Sequence, residues 1–317
     1  MNVATPKQIE LHAHSFSLRY HFRYWEQTGY DVFAYMAEMA SLGFTGVNVS
    51  ANGAGYRDLC GTDEQHFAAV AAAARAHGLR LELDTSDTRL ENMTRMLHVA
   101  AACGADTLRT YTRYSAALAD VIEWTIRDLR AVAPVAEALG VLVVLENHED
   151  FTGPVLARIL GAVDHPFVGA LFDYGNSQMV GEDPLAALAA MAPFVRRVHA
   201  KDHVLLQGPA GPVVQGVPFG TGTLPTGETT DRLYAAGVRR FCFENVWSYH
   251  AQLQCEVDAL PATPCFAFGD PARYLFGDAL APEVAVREER AALAEGLTNF
   301  HAMLKSRGYE VRPQPIT

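Results

Sequence analysis

The stretch HAHSFSLRYHF (residues 12–22) decides the fold. It continues the run IELHAHSF (9–16), which has the composition of a β-strand, and it contains no glycine. An open, doubly wound sheet prefers a glycine-rich phosphate turn after its first strand, because the backbone there must approach a pyrophosphate closely. A first strand that leaves into Ser, Phe, Leu and Arg speaks for a closed barrel instead. Seven further β-rich runs follow: TGVNVS (45–50), LRLELDT (79–85), DTLRTYT (106–112), VLVVLEN (141–147), VGALFD (168–173), VRRVHA (195–200) and RRFCFEN (239–245). Each is followed by a segment with apolar residues at helical spacing, such as DVFAYMAEMASLG (31–43) and DEQHFAAVAAAARAHG (63–78). Gly43, Gly78, Gly104 and Gly140 stand where a left-handed cap closes a helix before the next strand. Eight such units of parallel type predict an α/β protein, a (β/α)8 TIM barrel spanning residues 1–317 as a single domain.

Two stretches break the rhythm. Residues 205–227, LLQGPAGPVVQGVPFGTGTLPTG, are rich in Gly and Pro and lie between the seventh strand and its helix. Residues 246–282 form an irregular insertion after the eighth strand, with prolines at 261, 264, 271 and 282. Both long loops leave the C-terminal ends of strands, the face on which barrels carry their active sites. Loops of this length serve as lids, partner surfaces or mobile segments.

Composition narrows the function classes. Half of the 317 residues are hydrophobic and 19% are charged, so a large core is available and global disorder is excluded. The 25 Lys and Arg against 36 Asp and Glu give a net charge of −11, which speaks against nucleic acid or an anionic membrane as partner. No apolar run approaches the ~18 residues of a membrane helix, and MNVATPKQIELHAH lacks the apolar stretch of a signal peptide. Five cysteines without a CxxC pair argue against a disulfide framework or zinc ribbon. A cytoplasmic protein is expected.

The strongest signal is positional. Glu146, Asp173, His199 and Glu244 each end an apolar run, at strands five, six, seven and eight in turn. On a barrel these ends lie side by side around one rim. Three carboxylates and an imidazole suit a hard or borderline divalent ion such as Mn2+. Without a positive ion the converging carboxylates raise one another's pKa. Strand alternation places His148 on the same side as Glu146, and Lys201 on the side of His199. A neutral histidine beside a ketone is suited to moving protons. Lys201 either orients a substrate oxygen or pairs with Asp202. His12 and His14 share a face of strand one, and strand four offers Arg109 and Tyr111, so that His14, Arg109 and Lys201 are candidate substrate contacts. Asn48, Asn52, Glu82 and Asp84 fit packing or capping equally well. The HxH at His12–His14 also occurs on the first strand of amidohydrolase barrels. Those need histidines ending strands five and six and an aspartate ending strand eight, where this chain has Glu146, Asp173 and Glu244, so hydrolytic chemistry of that type is rejected.

Taken in order, ENHEDF (146–151), FDYGN (172–176), HAKD (199–202) and FEN (243–245) resemble the sugar phosphate isomerase/epimerase superfamily, the xylose-isomerase-like barrels. PFGTGTLP (218–225) resembles that group's Gly-rich loop between strands seven and eight. The resemblance implies a divalent metal on Glu146, Asp173, His199 and Glu244, Mn2+ foremost with Mg2+ or Co2+ as alternatives, and no nucleotide cofactor. It further implies a keto-sugar substrate. His14, Arg109, Asn176 and Lys201 are its expected contacts, and His148, Glu146 and Glu244 the expected catalytic groups. The superfamily includes ketose 3-epimerases, hydroxypyruvate isomerases, inosose dehydratases and DNA-repair endonucleases. The last use a larger, His-rich three-metal site and bind DNA, which an acidic chain with one clear site does not match. The base at His148, the opening HSFSLRYHF and the long insertion after strand eight look more like the large catalytic subunit of bacterial C-glycoside deglycosidases. These are metal-dependent lyases that act on 3-oxo-C-glycosides together with a small partner subunit. Ketose isomerisation or epimerisation is the alternative outcome, and a non-catalytic binding subunit the remote one. Symmetric oligomers are common among soluble barrels, and one is expected here.

Overall fold

The computed structural model describes residues 5–53, 55–208 and 211–312. Eight parallel strands close into a barrel. The first seven are β1 (Lys7–His14), β2 (Gly46–Ser50), β3 (Arg80–Asp84), β4 (Thr107–Thr110), β5 (Leu142–Glu146), β6 (Val168–Asp173) and β7 (Val195–Ala200). A hairpin of β8 (Asp202–Gly208) and β9 (Gly211–Val217) intervenes before the eighth barrel strand, β10 (Arg240–Phe243). Barrel neighbours pair in sequence order, and β10 closes on β1 with Ala13 opposite Phe243. The main helices are α1 (Val32–Ser41), α2 (Glu64–Ala76), α3 (Leu90–Ala102), α4 (Leu118–Leu139), α5 (Gly153–Val163), α6 (Pro184–Met191), α7 (Thr226–Ala235) and α8 (Pro282–Ser306). None of the described helices is long and apolar enough to cross a membrane.

Local chemistry sets these boundaries. Asp31 caps α1 by accepting from the Phe33 and Ala34 N–H groups. Gly140 ends α4 at φ 67, and Gly43, Gly78 and Gly104 adopt the same left-handed conformation at the helix ends where the sequence places them. The strands are buried on both faces, as parallel barrel strands must be. In β3, Leu81 and Leu83 join the main hydrophobic core, whereas Glu82 and Asp84 are buried among polar groups of other strands. The barrel interior is therefore charged rather than aliphatic. At its N-terminal end Glu82 receives Arg240 Nη1 at 2.6 Å and Arg197 Nε at 2.8 Å, while Arg240 also reaches Asp106 at 2.8 Å.

His12 sits inside this layer, fully buried, its Nδ1 3.7 Å from Glu82. Burial lowers its pKa to about 4 against the pull of Glu82, so the ring is neutral. The ring packs onto the backbone of Gly46, where an added Cβ would lie 2.3 Å from His12 Nε2. Gly46→Ala is accordingly expected to destabilise the fold by roughly 1–3 kcal/mol through overpacking. Thermal unfolding checks this; an unchanged midpoint would mean that the ring has room to shift.

The long insertions differ from their expected form. Residues 205–227 are not an irregular loop throughout. β8 and β9 pair antiparallel from Asp202↔Val217 to Gly208↔Gly211, and β11 (His250–Gln252) and β12 (Phe268–Gly269) flank them in a four-stranded sheet. The 246–282 insertion is thus packed onto the hairpin, with Met179, Leu205, Val214, Cys265 and Phe266 forming a small core of their own. Asp202 pins the Gly-rich loop that follows, accepting from the N–H groups of Gly220 (3.0 Å), Gly222 (2.9 Å) and Leu224 (3.2 Å). A last strand, β13 (Tyr309–Val311), pairs with the start of β1.

Candidate active site

Barrel geometry gathers the four strand-end residues. Glu146 and Asp173 are the last residues of β5 and β6, His199 lies one residue from the end of β7, and Glu244 directly follows β10. All four are buried. His199 is the hub: its Nδ1 lies 3.3 Å from Glu146 Oε1 and 3.9 Å from Glu244 Oε2. Potential ligand atoms of Glu146, Asp173 and His199 fall within 4.8 Å of one another, and so do those of His14, His199 and Glu244. His14 therefore approaches the ligand cluster more closely than a substrate contact alone requires. Its ring is already engaged, however: Nδ1 accepts from the Phe16 N–H at 2.9 Å and Nε2 lies 2.6 Å from Asp84.

Two cations compensate the acids. Arg109 Nη2 lies 2.6 Å from Glu146, and Lys201 Nζ lies 2.7 Å from Asp173 and 3.4 Å from Glu244. Of the two roles open to Lys201 in the sequence, pairing with Asp202 is not the one adopted; Asp202 faces the Gly-rich loop. Burial opposes ionisation of Glu146 and Glu244. Arg109 nevertheless holds Glu146 well below the usual carboxylate range, and Lys201 with His14 and His199 brings Glu244 down to about 2. Asp173 goes the other way, to about 6, because burial and the two glutamates outweigh Lys201. For His199 burial favours the neutral ring, but contact with Glu146 and the charge of Glu244 raise it to about 8.

These donors fit a divalent metal. Both oxygens of Glu146, Asp173 Oδ2, Glu244 Oε2 and His199 Nδ1 are buried and make no hydrogen bond of good geometry, although Arg109 and Lys201 lie against three of these oxygens as ion pairs. Converging acceptor-type atoms of this kind are what a divalent cation satisfies. Asn48 supports the arrangement. Its side-chain amide lies 3.3 Å from His199 Nε2, and its Oδ1 has no partner. Turning the amide round sets Oδ1 against an Nε2–H and leaves the Nδ1 lone pair facing the carboxylates.

A cavity of about 340 Å³ lies over the cluster, and its lining includes His14, Arg109, His148, Asn176, Lys201 and Glu244. The site residues predicted from the sequence thus come together around one space, with Glu146, Asp173 and His199 grouped beside Glu244. Tyr111, on the face shared with Arg109, stacks flat on the His148 ring with centroids 3.8 Å apart and planes at 4°. Among the described residues His148 forms no hydrogen bond, and burial lowers its pKa to about 3 against the charge of Glu146, so it stands as a neutral base. Sequence reasoning missed Phe16, Arg57, Arg113, Glu149 and Tyr249, which also line the cavity. All five lie beyond strand ends, Phe16 and Arg57 in short 3-10 helices and the other three in loops, where no periodicity reports direction.

Comparison with known proteins places the chain. Residues 36–262 match the model of the family described as xylose isomerase-like TIM barrels. The chain belongs to this family. Among curated proteins it is 28% identical over 163 residues to the uncharacterized protein YihM of Escherichia coli K12, covering 51% of this chain and 50% of that one. It is also 28% identical over 186 residues to the 3-oxo-isoapionate decarboxylase of Pectobacterium atrosepticum, covering 55% and 66%. The chain thus matches about half the length of the first relative and just under two thirds of the second. Solved structures share the fold. The D-psicose 3-epimerase of Clostridium cellulolyticum H10, crystallised with D-tagatose, superposes with a TM-score of 0.62 at 16% identity over 92% of this chain and 99% of that one. The IOLI protein with a bound zinc atom superposes at 0.65 and 11% identity over 95% and 100%.

Proposed function

We propose that this family member is a divalent-metal-dependent keto-sugar enzyme that removes a proton next to a ketone, with cleavage of 3-oxo-C-glycosides as the outcome. The observation that carries the reading is His148: a neutral ring locked flat on Tyr111, without a hydrogen-bond partner among the described residues, in the same cavity as the metal-ligand cluster. Glu146, Asp173, His199 and Glu244 would hold the ion, with Mn2+ the expected metal. When bound, it supplies positive charge that stabilises the negative charge developing on a ketone oxygen.

The chain's own residues do the rest. His148 takes the proton from C2 of a sugar whose ketone is at C3, becoming imidazolium. The electron pair left on C2 is delocalised as an enolate, then closes a C1–C2 double bond as the C1 substituent leaves with the bonding pair. The departing carbon takes that proton back from the His148 imidazolium, so atoms and charge balance and the neutral ring is restored. Arg109 holds Glu146 in place, and Lys201 presents an ammonium to substrate oxygens from beside Asp173. The relative named as a 3-oxo-isoapionate decarboxylase supports carbon–carbon cleavage next to a ketone, though not the proton abstraction, since by its name it expels carbon dioxide from a 3-oxo acid. A small partner subunit belongs to the same reading.

One arrangement favours the alternative, ketose epimerisation. Glu146 and Glu244 approach His199 Nδ1 together, at 3.3 and 3.9 Å, and a pair of carboxylates can serve two opposite sides of one carbon. His148→Ala separates the readings. It is expected to retain metal while losing roughly 10²–10⁴-fold in turnover, the usual contribution of a general base. Metal content and steady-state rate check this together. Full activity with metal retained would remove His148 from the mechanism and leave the two glutamates as the bases.

A further inference from the structure

His148 sits in a segment pinned on both sides. Asn147 before it is buried, and its side-chain amide accepts from the Asp173 N–H at 2.6 Å and donates to the Asp173 carbonyl at 3.1 Å. Glu149 after it accepts from the Tyr249 hydroxyl at 2.9 Å. Glu149 follows β5 and Tyr249 follows β10, so this bond reaches from the fifth barrel strand to the eighth, past the ends of β6 and β7. Both residues line the cavity over the ligand cluster. Tyr249 is delivered by a rigid turn. Ser248 has φ 64, a left-handed conformation that a serine keeps only where its surroundings enforce it. Its N–H donates to the Gly216 carbonyl at 3.0 Å, its carbonyl accepts from Arg19 Nη2 at 3.0 Å, and its hydroxyl oxygen accepts from the Gly277 N–H. The Tyr249 carbonyl in turn accepts from the Gly216 N–H at 2.7 Å. β9 passes this close because residue 216 has no side chain: a Cβ there would lie 2.0 Å from the Val246 carbonyl oxygen. The phenol ring stands T-shaped against Phe16, with centroids 5.9 Å apart.

We propose that Tyr249 is a positioning residue for His148, and that the insertion after strand eight is a strut which holds, through Glu149, the segment carrying that base. The proposal rests on the reading of His148 as the base. The flat stack on Tyr111 sets the plane of the imidazole, but it leaves open where the backbone of residue 148 stands over the cavity. Asn147 ties that backbone to β6 on one side, and Glu149 ties it to the insertion on the other. A donor on a rigid turn is already ordered before substrate arrives, and such support is what keeps a reacting group within reach of its target atom. Burial raises the Tyr249 pKa, so the hydroxyl stays protonated and able to donate. The insertion's packing onto the hairpin thus acquires a use at the active site: it makes the far end of the strut stiff.

The test pairs Tyr249→Phe, which removes the hydroxyl and keeps the ring, with Glu149→Ala and the double variant, all in the full chain. The first readout is NMR of protein labelled with 13C at histidine Cε1, with Mg2+ present. The His148 signal, identified by its loss in His148→Ala, is expected to shift or broaden in each single variant and to look the same in the double one. The second readout is turnover of the ketone that wild type accepts, a 3-oxo-C-glucoside or a ketohexose. Each single variant is expected to lose about tenfold in kcat, inside the ~10²-fold that a small misplacement costs, with KM changed less than about threefold. The double variant is expected to lose no more than either single one, because both remove the same bond. Glu149→Gln, which keeps an accepting oxygen, is expected to lose less than Glu149→Ala. If the His148 signal responds in this way while wild type turns over neither ketone, the strut stands and the proton-abstraction reading falls. An unmoved His148 signal in both single variants overturns the strut, as do unchanged turnover of an accepted ketone in both and losses that multiply in the double variant.

Discussion

Glu146→Gln should lose divalent metal and activity together. Glutamine keeps the size and shape of the side chain and removes its charge, so the effect reports electrostatics rather than packing. Two neighbours register the loss. Arg109 Nη2, 2.6 Å away, is left in a buried site without its main carboxylate, and His199 Nδ1 loses the oxygen 3.3 Å from it. Outer groups around metal ligands commonly change affinity by about 10–100-fold, and removal of a charged ligand should exceed that, so a loss of at least ~100-fold in Mn2+ affinity is expected. Turnover should fall by about 10³-fold, as when one preorganised stabilising group is removed from an active site. Mn2+ titration followed by water-proton relaxation measures the first quantity and steady-state kinetics the second. His199→Ala should behave alike, since that ring is common to both groups of converging ligand atoms. Unchanged Mn2+ affinity in both folded variants would remove these residues from the metal site.

Glu82→Ala should produce the largest loss of stability. Glu82 is almost fully buried at the N-terminal end of the barrel, where it is the acceptor for Arg240 at 2.6 Å and Arg197 at 2.8 Å. Deleting one member of a buried ion network typically costs about 3–5 kcal/mol, because the remaining charges stay buried and uncompensated. Asp106 still faces Arg240 at 2.8 Å and softens the effect, so the lower half of that range is expected. At ~2–4 °C per kcal/mol for larger domains this is a fall of roughly 10 °C in the unfolding midpoint. Differential scanning calorimetry checks it. A loss below about 1 kcal/mol would mean that Asp106 alone suffices for both arginines.

The two predictions concern opposite ends of one barrel, and they differ in how much the sequence tells of each. The rim proposed to hold the metal is legible because each of its four residues ends an apolar run, and in a barrel the run's end fixes the residue's place. VGALFD and VRRVHA coincide with β6 and β7, and RRFCFEN contracts to Arg240–Phe243 because the chain turns away at Glu244, whose N–H still bonds Ala200. The charged floor is not legible. Glu82 meets Arg240 across 158 residues of sequence and Asp106 meets Arg240 across 134, and each reads alone as an ordinary polar strand residue. The hairpin after β7 is hidden for another reason. Its glycines and prolines mark turns in any sequence window, yet Val204, Leu206, Val213 and Val217 alternate with the pleat and bury one face. Lys201 is ambiguous in the sequence because Asp202 is its neighbour in the chain; at the junction of β7 and β8 the two side chains diverge, the lysine meeting Asp173 and Asp202 the Gly-rich loop.

Proton NMR in D2O with Mn2+, supplying a 3-oxo-C-glucoside and a free ketohexose in separate samples, tests proton abstraction beside a ketone most directly. The account predicts loss of the C2 proton signal of the glucoside with release of the aglycone. Exchange at C2 without release would mean that proton abstraction works and the partner subunit is missing. Exchange or epimer formation in the ketohexose with an untouched glucoside would move the chain to the epimerase reading. No exchange in either substrate, with metal bound, would contradict the account.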